Sequence, residues 1–180
     1  NLPYFILGHS MGSFLCREFI ETYGNTLNGA IVMGTGNQPS AAVNFGMVTV
    51  KLMKAFKGER HRSTFCDYLS FGAYNKRINP LRTPKDWLTR DEKIVDAYLN
   101  DPLCSYIFTL NGFETLLSTV SFIQNKKNIA KIPKELPIFF VAGEEDPVGA
   151  YGKGVKKVYQ TYCNNNIQDV EIKLYPGARH

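Results

Sequence analysis

No apolar run in this 180-residue sequence is long enough to form a membrane-spanning helix, so we expect at most transient contact with a membrane surface. Internal repeats and low-complexity segments are also lacking. The formal net charge is +5, yet the lysines and arginines are scattered and form no stripe with stacking aromatic side chains. This distribution argues against nucleic acid as a partner.

Cysteine is scarce as well, and its spacing matches no metal-binding pattern. The four cysteines are Cys16, Cys66, Cys104 and Cys163. Cys16 falls inside the apolar stripe of a predicted helix, which is typical of a buried thiol. Isolated thiols are typical of reducing compartments, so the sequence favours a cytoplasmic location.

The composition is that of a globular protein, with 44% hydrophobic and 21% charged residues, so the chain can bury a core. Its length suits one complete domain or part of a larger one. The first distinctive segment is residues 4–13, where four apolar or aromatic residues precede G-H-S-M-G. This is the G-x-S-x-G pattern between a predicted buried strand and a predicted helix.

Such a turn holds its serine, here Ser10, in a strained backbone conformation. We expect glycine to be needed at positions 8 and 12, where a Cβ would collide with a neighbouring element. The turn would expose the Ser10 hydroxyl at a helix N-terminus, where free N–H groups favour developing negative charge. An ordinary helix N-cap is the alternative role for this serine.

The pattern after Ser10 predicts a parallel β-α-β unit. Residues 11–23 have apolar side chains at helical spacing, and residues 29–34 form a short apolar run bounded by glycines. A strand, a helix of about three turns and a second strand form a parallel unit whose ligand-facing rim lies at the carboxyl ends of the strands. Ser10 and the loop at residues 35–37 should therefore lie on the same rim.

Residues 38–125 lack strand-like runs and are predicted to form a helical cap over the rim. Helical periodicity appears at residues 41–56, 90–100 and 111–125. Thr89 and Glu92 have the spacing of a capping box, with Asp91 adding charge to the first turn. Six apolar side chains could line an acyl pocket, although half or more would form the core of the cap: Phe45, Met47, Met53, Phe71, Phe113 and Phe122.

The α/β pattern resumes after the cap. Residues 137–143 and 170–175 read as strands, and residues 152–162 read as a helix between them. The predicted fold is therefore α/β, with mostly parallel strands and flanking helices. We assign residues 1–37 and 126–180 to this core and residues 38–125 to the inserted cap.

Three residues with complementary chemistry follow predicted strands: Ser10, Asp146 and His180. Serine needs a base within hydrogen-bond reach, and histidine suits that role because its pKa lies near neutrality. A carboxylate on the far ring nitrogen would fix the tautomer and stabilise the imidazolium. Glu144 and Glu145 are the competing carboxylates. Of the other histidines, we expect His9 to shape the turn or the rim, and His61 to lie in a solvated loop.

The motifs G-H-S-M-G at residues 8–12, A-G-E-E-D-P-V-G at 142–149 and Y-P-G-A-R-H at 175–180 resemble the α/β-hydrolase superfamily. More narrowly, they resemble its monoacylglycerol lipase and lysophospholipase-like branch, also called serine aminopeptidase-like. The resemblance implies that Ser10 is the nucleophile, Asp146 the acid and His180 the base. It also implies that the backbone N–H of Met11 is an oxyanion-hole donor, and that no metal or organic cofactor is needed.

The implied activity is the hydrolysis of carboxylic esters, with a monoacylglycerol or lysophospholipid as the small-molecule substrate. A peptidase that removes N-terminal residues and a non-catalytic protein that binds an apolar ligand are the alternatives. Members of this family have strands before the nucleophile and a second oxyanion donor in a loop there, which this sequence lacks. We therefore expect the chain to be a fragment of a longer protein, with an exposed apolar strand edge, and to be inactive or unfolded in isolation.

Overall fold

The computed structural model describes residues 2–180, so Asn1, the first residue of the predicted core, lies outside the described part. The chain divides into two compact units. The first contains the residues up to Gln38, Thr119–Ala178 and His180. The second contains Pro39–Ser118 and Arg179.

A parallel sheet forms the centre of the first unit. Its strands are β1 (Phe5–His9), β2 (Gly29–Met33), β3 (Ile138–Gly143) and β4 (Val170–Tyr175). They follow the order β1-β2-β3-β4 and pair in parallel throughout residues 2–180. The carboxyl ends of the strands consequently share one rim, because His9 pairs with Met33 and Gly143 pairs with Tyr175. This arrangement confirms the predicted fold class, α/β with parallel strands and flanking helices.

The helices lie near the predicted positions, with ends that differ by one or two residues. They are α1 (Met11–Tyr23), α2 (Ser40–Lys57), α3 (Thr64–Phe71), α4 (Glu92–Asn100), α5 (Leu110–Ile123), α6 (Lys126–Ile129) and α7 (Lys153–Asn164). The sequence did not predict α3 or α6. Both are short, and a short helix shows too few turns for its apolar period to be recognised.

The core of the first unit forms where α1 and α7 pack with the central strand β3. Ile20 of α1, Phe140 of β3 and Tyr162 of α7 are fully buried in one cluster. Burying each such side chain contributes about 1.5–3 kcal/mol. Cys16 belongs to the same cluster, which confirms the predicted buried thiol, and burial raises its pKa to about 11.

The second unit has its own apolar core. Its buried members are Val50, Cys66, Leu110 and Phe113, and the partly buried Met53 and Phe71 pack against them. Three of the six side chains considered for an acyl pocket, namely Met53, Phe71 and Phe113, therefore belong to this core. Phe45 does not, since it is 64% exposed.

The predicted capping box at the start of α4 is wrong. Asp91 is the N-cap residue itself, and its carboxylate accepts hydrogen bonds from the backbone N–H groups of Lys93 and Ile94. The hydroxyl of Thr89 instead accepts a hydrogen bond from the backbone N–H of Asp91, which lies before the first helical residue. Aspartate is at least as strong an N-cap as threonine, so the Asp91 carboxylate occupies the N-cap position that the spacing assigned to the Thr89 hydroxyl.

Strand β1 has one strand neighbour, β2, among residues 2–180. Its Phe5 and Leu7 side chains are 63% and 62% exposed, as expected for an apolar strand edge. No helix in the same residues is both long and apolar enough to cross a membrane.

A buried carboxyl group lies on the inner face of α1. Glu21 is only 2% exposed, and neither of its carboxyl oxygens has a hydrogen-bond partner among residues 2–180. Burial raises the pKa of Glu21 to about 8, while the Arg17 guanidinium acts in the opposite direction. Because this pKa lies above its ordinary value, the folded protein holds a proton on Glu21 that the unfolded chain loses above about pH 4.5.

We expect this group to make the folded protein less stable as the pH rises from about 5 to 8. Glu21→Gln should remove that loss of stability. The free energy of unfolding of the variant, relative to that of the wild type, should therefore rise by up to about 4 kcal/mol across this pH range. Urea denaturation of both proteins at several pH values measures the difference. A difference that does not change with pH would contradict the assignment.

Candidate active site

The turn between β1 and α1 holds Ser10 in an unusual backbone conformation. Its φ is 57° and its ψ is −124°, a region that non-glycine residues rarely adopt and that costs about 1–3 kcal/mol. Backbone bonds on both sides fix the turn. The N–H of Ser10 donates to the carbonyl of Met33 at 3.0 Å, and its carbonyl accepts from the N–H of Ser13 at 2.9 Å.

The hydroxyl of Ser10 does not cap α1. Ser10 occupies the N-cap position, but its side chain makes no capping hydrogen bond within the part of the chain that the structure describes. The hydroxyl of Ser13 instead donates to the Ser10 carbonyl at 2.5 Å. The N-cap alternative therefore does not explain why a serine occupies this strained position.

Steric crowding requires glycine at position 8 but not at position 12. A Cβ at Gly8 would lie 2.2 Å from the carbonyl oxygen of Gly12 and 2.7 Å from the Cβ of Cys16. A Cβ at Gly12 would meet no atom within 4 Å among residues 2–180, so the expectation of a clash there is wrong. The reason is directional: Gly8 faces the first turn of α1, whereas position 12 within that turn points into open space.

The two glycines form a matched pair for substitution. Gly8→Ala should lower the free energy of unfolding by about 3 kcal/mol, because the methyl group meets rigid backbone. Gly12→Ala should leave it unchanged or raise it by up to about 1 kcal/mol, because alanine favours the helix. Urea denaturation at one pH compares them. Equal effects of the two changes would contradict this geometry of the turn.

Asp146 lies in the loop after β3 and is completely buried. Its Oδ1 accepts a hydrogen bond from the backbone N–H of Val148, and its Oδ2 lies 2.8 Å from the Nδ1 of His180. The competing carboxylates, Glu144 and Glu145, are both exposed. Burial therefore distinguishes Asp146 from Glu144 and Glu145, which the sequence could not do without the family resemblance.

Backbone bonds hold the Asp146 loop beside the loop after β4. The N–H of Glu144 donates to the carbonyl of Tyr175 at 3.0 Å, and the N–H of Glu145 donates to the carbonyl of Ala178 at 2.9 Å. These bonds extend the pairing of β3 and β4 beyond the ends of the strands. They bring His180 to the carboxylate, although the two residues are 34 positions apart in the chain.

The imidazole of His180 also lies beside the turn that contains Ser10. Its ring centroid is 4.6 Å from that of His9, the residue immediately before Ser10. Gly34 makes this approach possible, since a Cβ there would lie 2.9 Å from Cε1 of His180. Desolvation, followed by repulsion from His180, lowers the pKa of His9.

The first turn of α1 lies next to Ser10. Met11 is the first residue of this helix, and the N–H of a first helical residue has no acceptor within its own helix. The role of the Met11 N–H as an oxyanion donor stays a prediction. In the described chain, residues 2–180, no group of three or more histidine, cysteine, aspartate or glutamate side chains could hold a metal ion.

Sequence reasoning missed one buried charge near the rim, Arg17 of α1. It is 1% exposed, and its guanidinium donates to the carbonyl of Gly36 at 2.9 Å and to the hydroxyl of Thr35 at 3.3 Å. Spacing could have indicated its burial. Arg17 lies three residues after Phe14 and three before Ile20, in the apolar stripe of the helix.

Comparisons with known proteins agree with this architecture. The family model described as serine aminopeptidase, S33, matches residues 1–180. A comparison with curated protein sequences gives no match.

The chain is also similar to solved structures. A thermostable carboxyl esterase from Bacillus coagulans, determined in complex with glycerol, is 31% identical with a TM-score of 0.90, and the match covers 100% of this chain and 58% of that one. A lipase in its open form is 25% identical with a TM-score of 0.88 and the same coverage. A monoacylglycerol lipase from Paleococcus ferrophilus shares the fold at 19% identity and a TM-score of 0.66, over 99% of this chain and 60% of that one. The chain thus spans about three fifths of the length of these proteins.

Proposed function

Because this chain belongs to the serine aminopeptidase S33 family of α/β-hydrolases, we propose that the protein is a serine hydrolase that cleaves carboxylic esters through an acyl-enzyme on Ser10. The observation that carries the proposal is the 2.8 Å contact between the buried Asp146 carboxylate and Nδ1 of His180. A buried carboxylate on one ring nitrogen leaves the other nitrogen, Nε2, to act as the base.

In the proposed acylation step, the oxygen of Ser10 attacks the ester carbonyl while Nε2 of His180 takes the hydroxyl proton. The Asp146 carboxylate stabilises the imidazolium that forms. The Met11 N–H donates to the oxyanion of the tetrahedral intermediate. Collapse of that intermediate breaks the bond to the alcohol, which leaves with the proton from His180.

In the proposed deacylation step, water attacks the acyl group on Ser10 as His180 takes a proton from it. The second tetrahedral intermediate releases the carboxylic acid and returns the proton to the Ser10 oxygen. The proposed steps need no metal or organic cofactor, because the imidazole of His180 carries every proton and the Met11 N–H stabilises the negative charge on the oxyanion.

The proposed substrates are esters with an apolar acyl group, of the monoacylglycerol or lysophospholipid type. The 31% identity to a carboxyl esterase supports ester cleavage. Support for an apolar acyl group comes from the 25% identity to a lipase. A small-molecule ester in the cytoplasm remains our expectation for substrate and location.

A peptidase that removes N-terminal residues is the second candidate. The observation that favours it is the description of the matching family, which names an aminopeptidase. Both activities use the same nucleophile, base and acid, so the leaving group distinguishes them. A series of p-nitrophenyl esters and monoacylglycerols of increasing chain length, compared with aminoacyl p-nitroanilides, separates the two.

Labelling with a fluorophosphonate probe tests the proposal itself. We expect the full-length protein to gain one probe molecule, attached to Ser10 in the peptide that contains residues 8–12. Protein that has been denatured before the probe is added is the control and should remain unlabelled. A folded protein that does not react would rule out the hydrolase and favour a non-catalytic protein that binds an apolar ligand.

A further inference from the structure

The guanidinium of Arg17 connects α1 with the loop that follows β2. Besides its bonds to Gly36 and Thr35, it donates to the carbonyl of Ile123 at the end of α5, at 3.2 Å. The side chain is 1% exposed, so these acceptors replace water around a buried charge. A fork of donors fixed in one plane holds several acceptors at once, which an ammonium group does less well.

The loop that Arg17 holds packs directly against the Asp146 loop. A Cβ at Gly36 would lie 2.3 Å from the carbonyl oxygen of Val148, so the two backbones are in close contact there. The carbonyl of Thr35 approaches Gly149 in the same way, 3.1 Å from the position of a Cβ. Movement of the loop at residues 35–36 would consequently displace residues 148–149.

Val148 transmits this contact to the carboxylate. Its backbone N–H donates to Oδ1 of Asp146 at 2.8 Å, while Oδ2 faces His180. A carboxylate that accepts on both oxygens is fixed in rotation, so the position of the Val148 N–H sets the direction of the oxygen that faces the imidazole. From Arg17 to His180, each contact is therefore a hydrogen bond or a close backbone packing contact.

We propose that Arg17 is a positioning residue, which holds the loop at residues 35–36 against Val148 and thereby orients the Asp146–His180 pair. This inference rests on the proposed function, because it assigns the pair a catalytic role. The hydrogen bonds of the Arg17 guanidinium go to Thr35, Gly36 and Ile123, none of which belongs to the pair. Its effect reaches the base through the Gly36 and Val148 backbones.

The test is Arg17→Lys, which keeps the charge and most of the length but not the planar fork. We expect kcat for a p-nitrophenyl ester to fall by about 10- to 100-fold, since a displacement near 1 Å costs about 100-fold, with KM within about twofold of the wild type. The acidic limb of the kcat/KM profile should move to lower pH, because a misdirected carboxylate stabilises the imidazolium less.

Gly36→Ala tests the same connection from its other end and covers the case in which Arg17→Lys does not fold. Its methyl group would push against Val148, so we expect the same loss of kcat and the same shift of the acidic limb. Ile20→Val is the matched control on α1. It shortens a buried side chain in the core cluster and should lower the melting temperature without moving kcat or the pH profile.

A proton resonance gives a readout that does not depend on turnover. The Nδ1–H of His180, donated to the Asp146 carboxylate, should give a downfield proton signal in the wild type and in Ile20→Val. The signal should shift or broaden in Arg17→Lys and Gly36→Ala. Variants with a lower melting temperature but an unchanged kcat, pH profile and downfield signal would overturn the inference. A wild type that fluorophosphonate does not label would instead overturn the proposed function.

Discussion

Ser10→Ala is expected to lower kcat for ester hydrolysis by about 10⁵- to 10⁶-fold, because it removes the oxygen that carries the acyl group in the proposed mechanism. KM should change little, since the hydroxyl contributes to the reaction more than to binding of the ester. Steady-state assays with p-nitrophenyl esters measure the loss. Intact-mass measurement after mixing with substrate should detect an acyl adduct only in the wild type.

Ser121→Ala is the matched control for this change. Ser121 is an exposed serine on α5, so its replacement should leave kcat within about twofold of the wild type. A Ser10→Ala protein that keeps even a tenth of the wild-type kcat would show that the reaction does not pass through an acyl group on Ser10.

Asp146→Asn is expected to lower kcat by about 10⁴-fold while the fold is retained. The N–H of Val148 needs an acceptor, so the amide oxygen of the new side chain must face Val148. Its NH₂ group then faces Nδ1 of His180, and the ring must place its own proton on Nε2. A protonated Nε2 cannot accept the proton of Ser10.

Glu144→Gln is the control for Asp146→Asn, because it makes the same chemical change two positions earlier on an exposed residue. Its kcat should stay within about twofold of the wild type. Assays at a single pH, with the fold of each variant checked by circular dichroism, compare the two. Equal losses in both variants would mean that the acidic loop acts through its charge and not through one oriented carboxylate.

The strands were predictable from sequence because their side chains are regular. In β3, Ile138, Phe140 and Ala142 alternate on one buried face, and the residues between them are also apolar, as in a strand covered on both sides. Strand β4 alternates between exposed and half-buried residues and was predicted with the bounds that the structure has. The parallel sheet follows from the helices that separate these strands.

The contacts of the candidate site were predictable only in part. The order of Ser10, Asp146 and His180 and their places after strands could be read from the motifs. The Val148 N–H and the approach of Gly34 to His180 could not, because they depend on the conformations of loops. Loop backbones are set by many weak contacts between distant residues, and no short pattern in the chain encodes them.

Arg17 and Gly12 show two opposite errors of pattern reading. The burial of Arg17 was not predicted, because charged side chains seldom lie buried, and two of its acceptors are backbone carbonyls that a sequence does not display. Gly12 was taken as a packing requirement because the motif contains it. The space around a residue depends on its neighbours in three dimensions. Of these two glycines, only Gly8 lies where a Cβ would collide with other atoms.

The backbone of Ser10 has a practical consequence for trapping a substrate in the protein. A φ of 57° with a ψ of −124° suits glycine, which pays no steric penalty there, whereas alanine keeps the penalty of serine. A serine at this position thus lowers the free energy of unfolding in return for the hydroxyl of the proposed nucleophile. An inactive variant for co-crystallisation with an intact ester is therefore better built with glycine than with alanine at this position, because it should also be easier to produce and to keep.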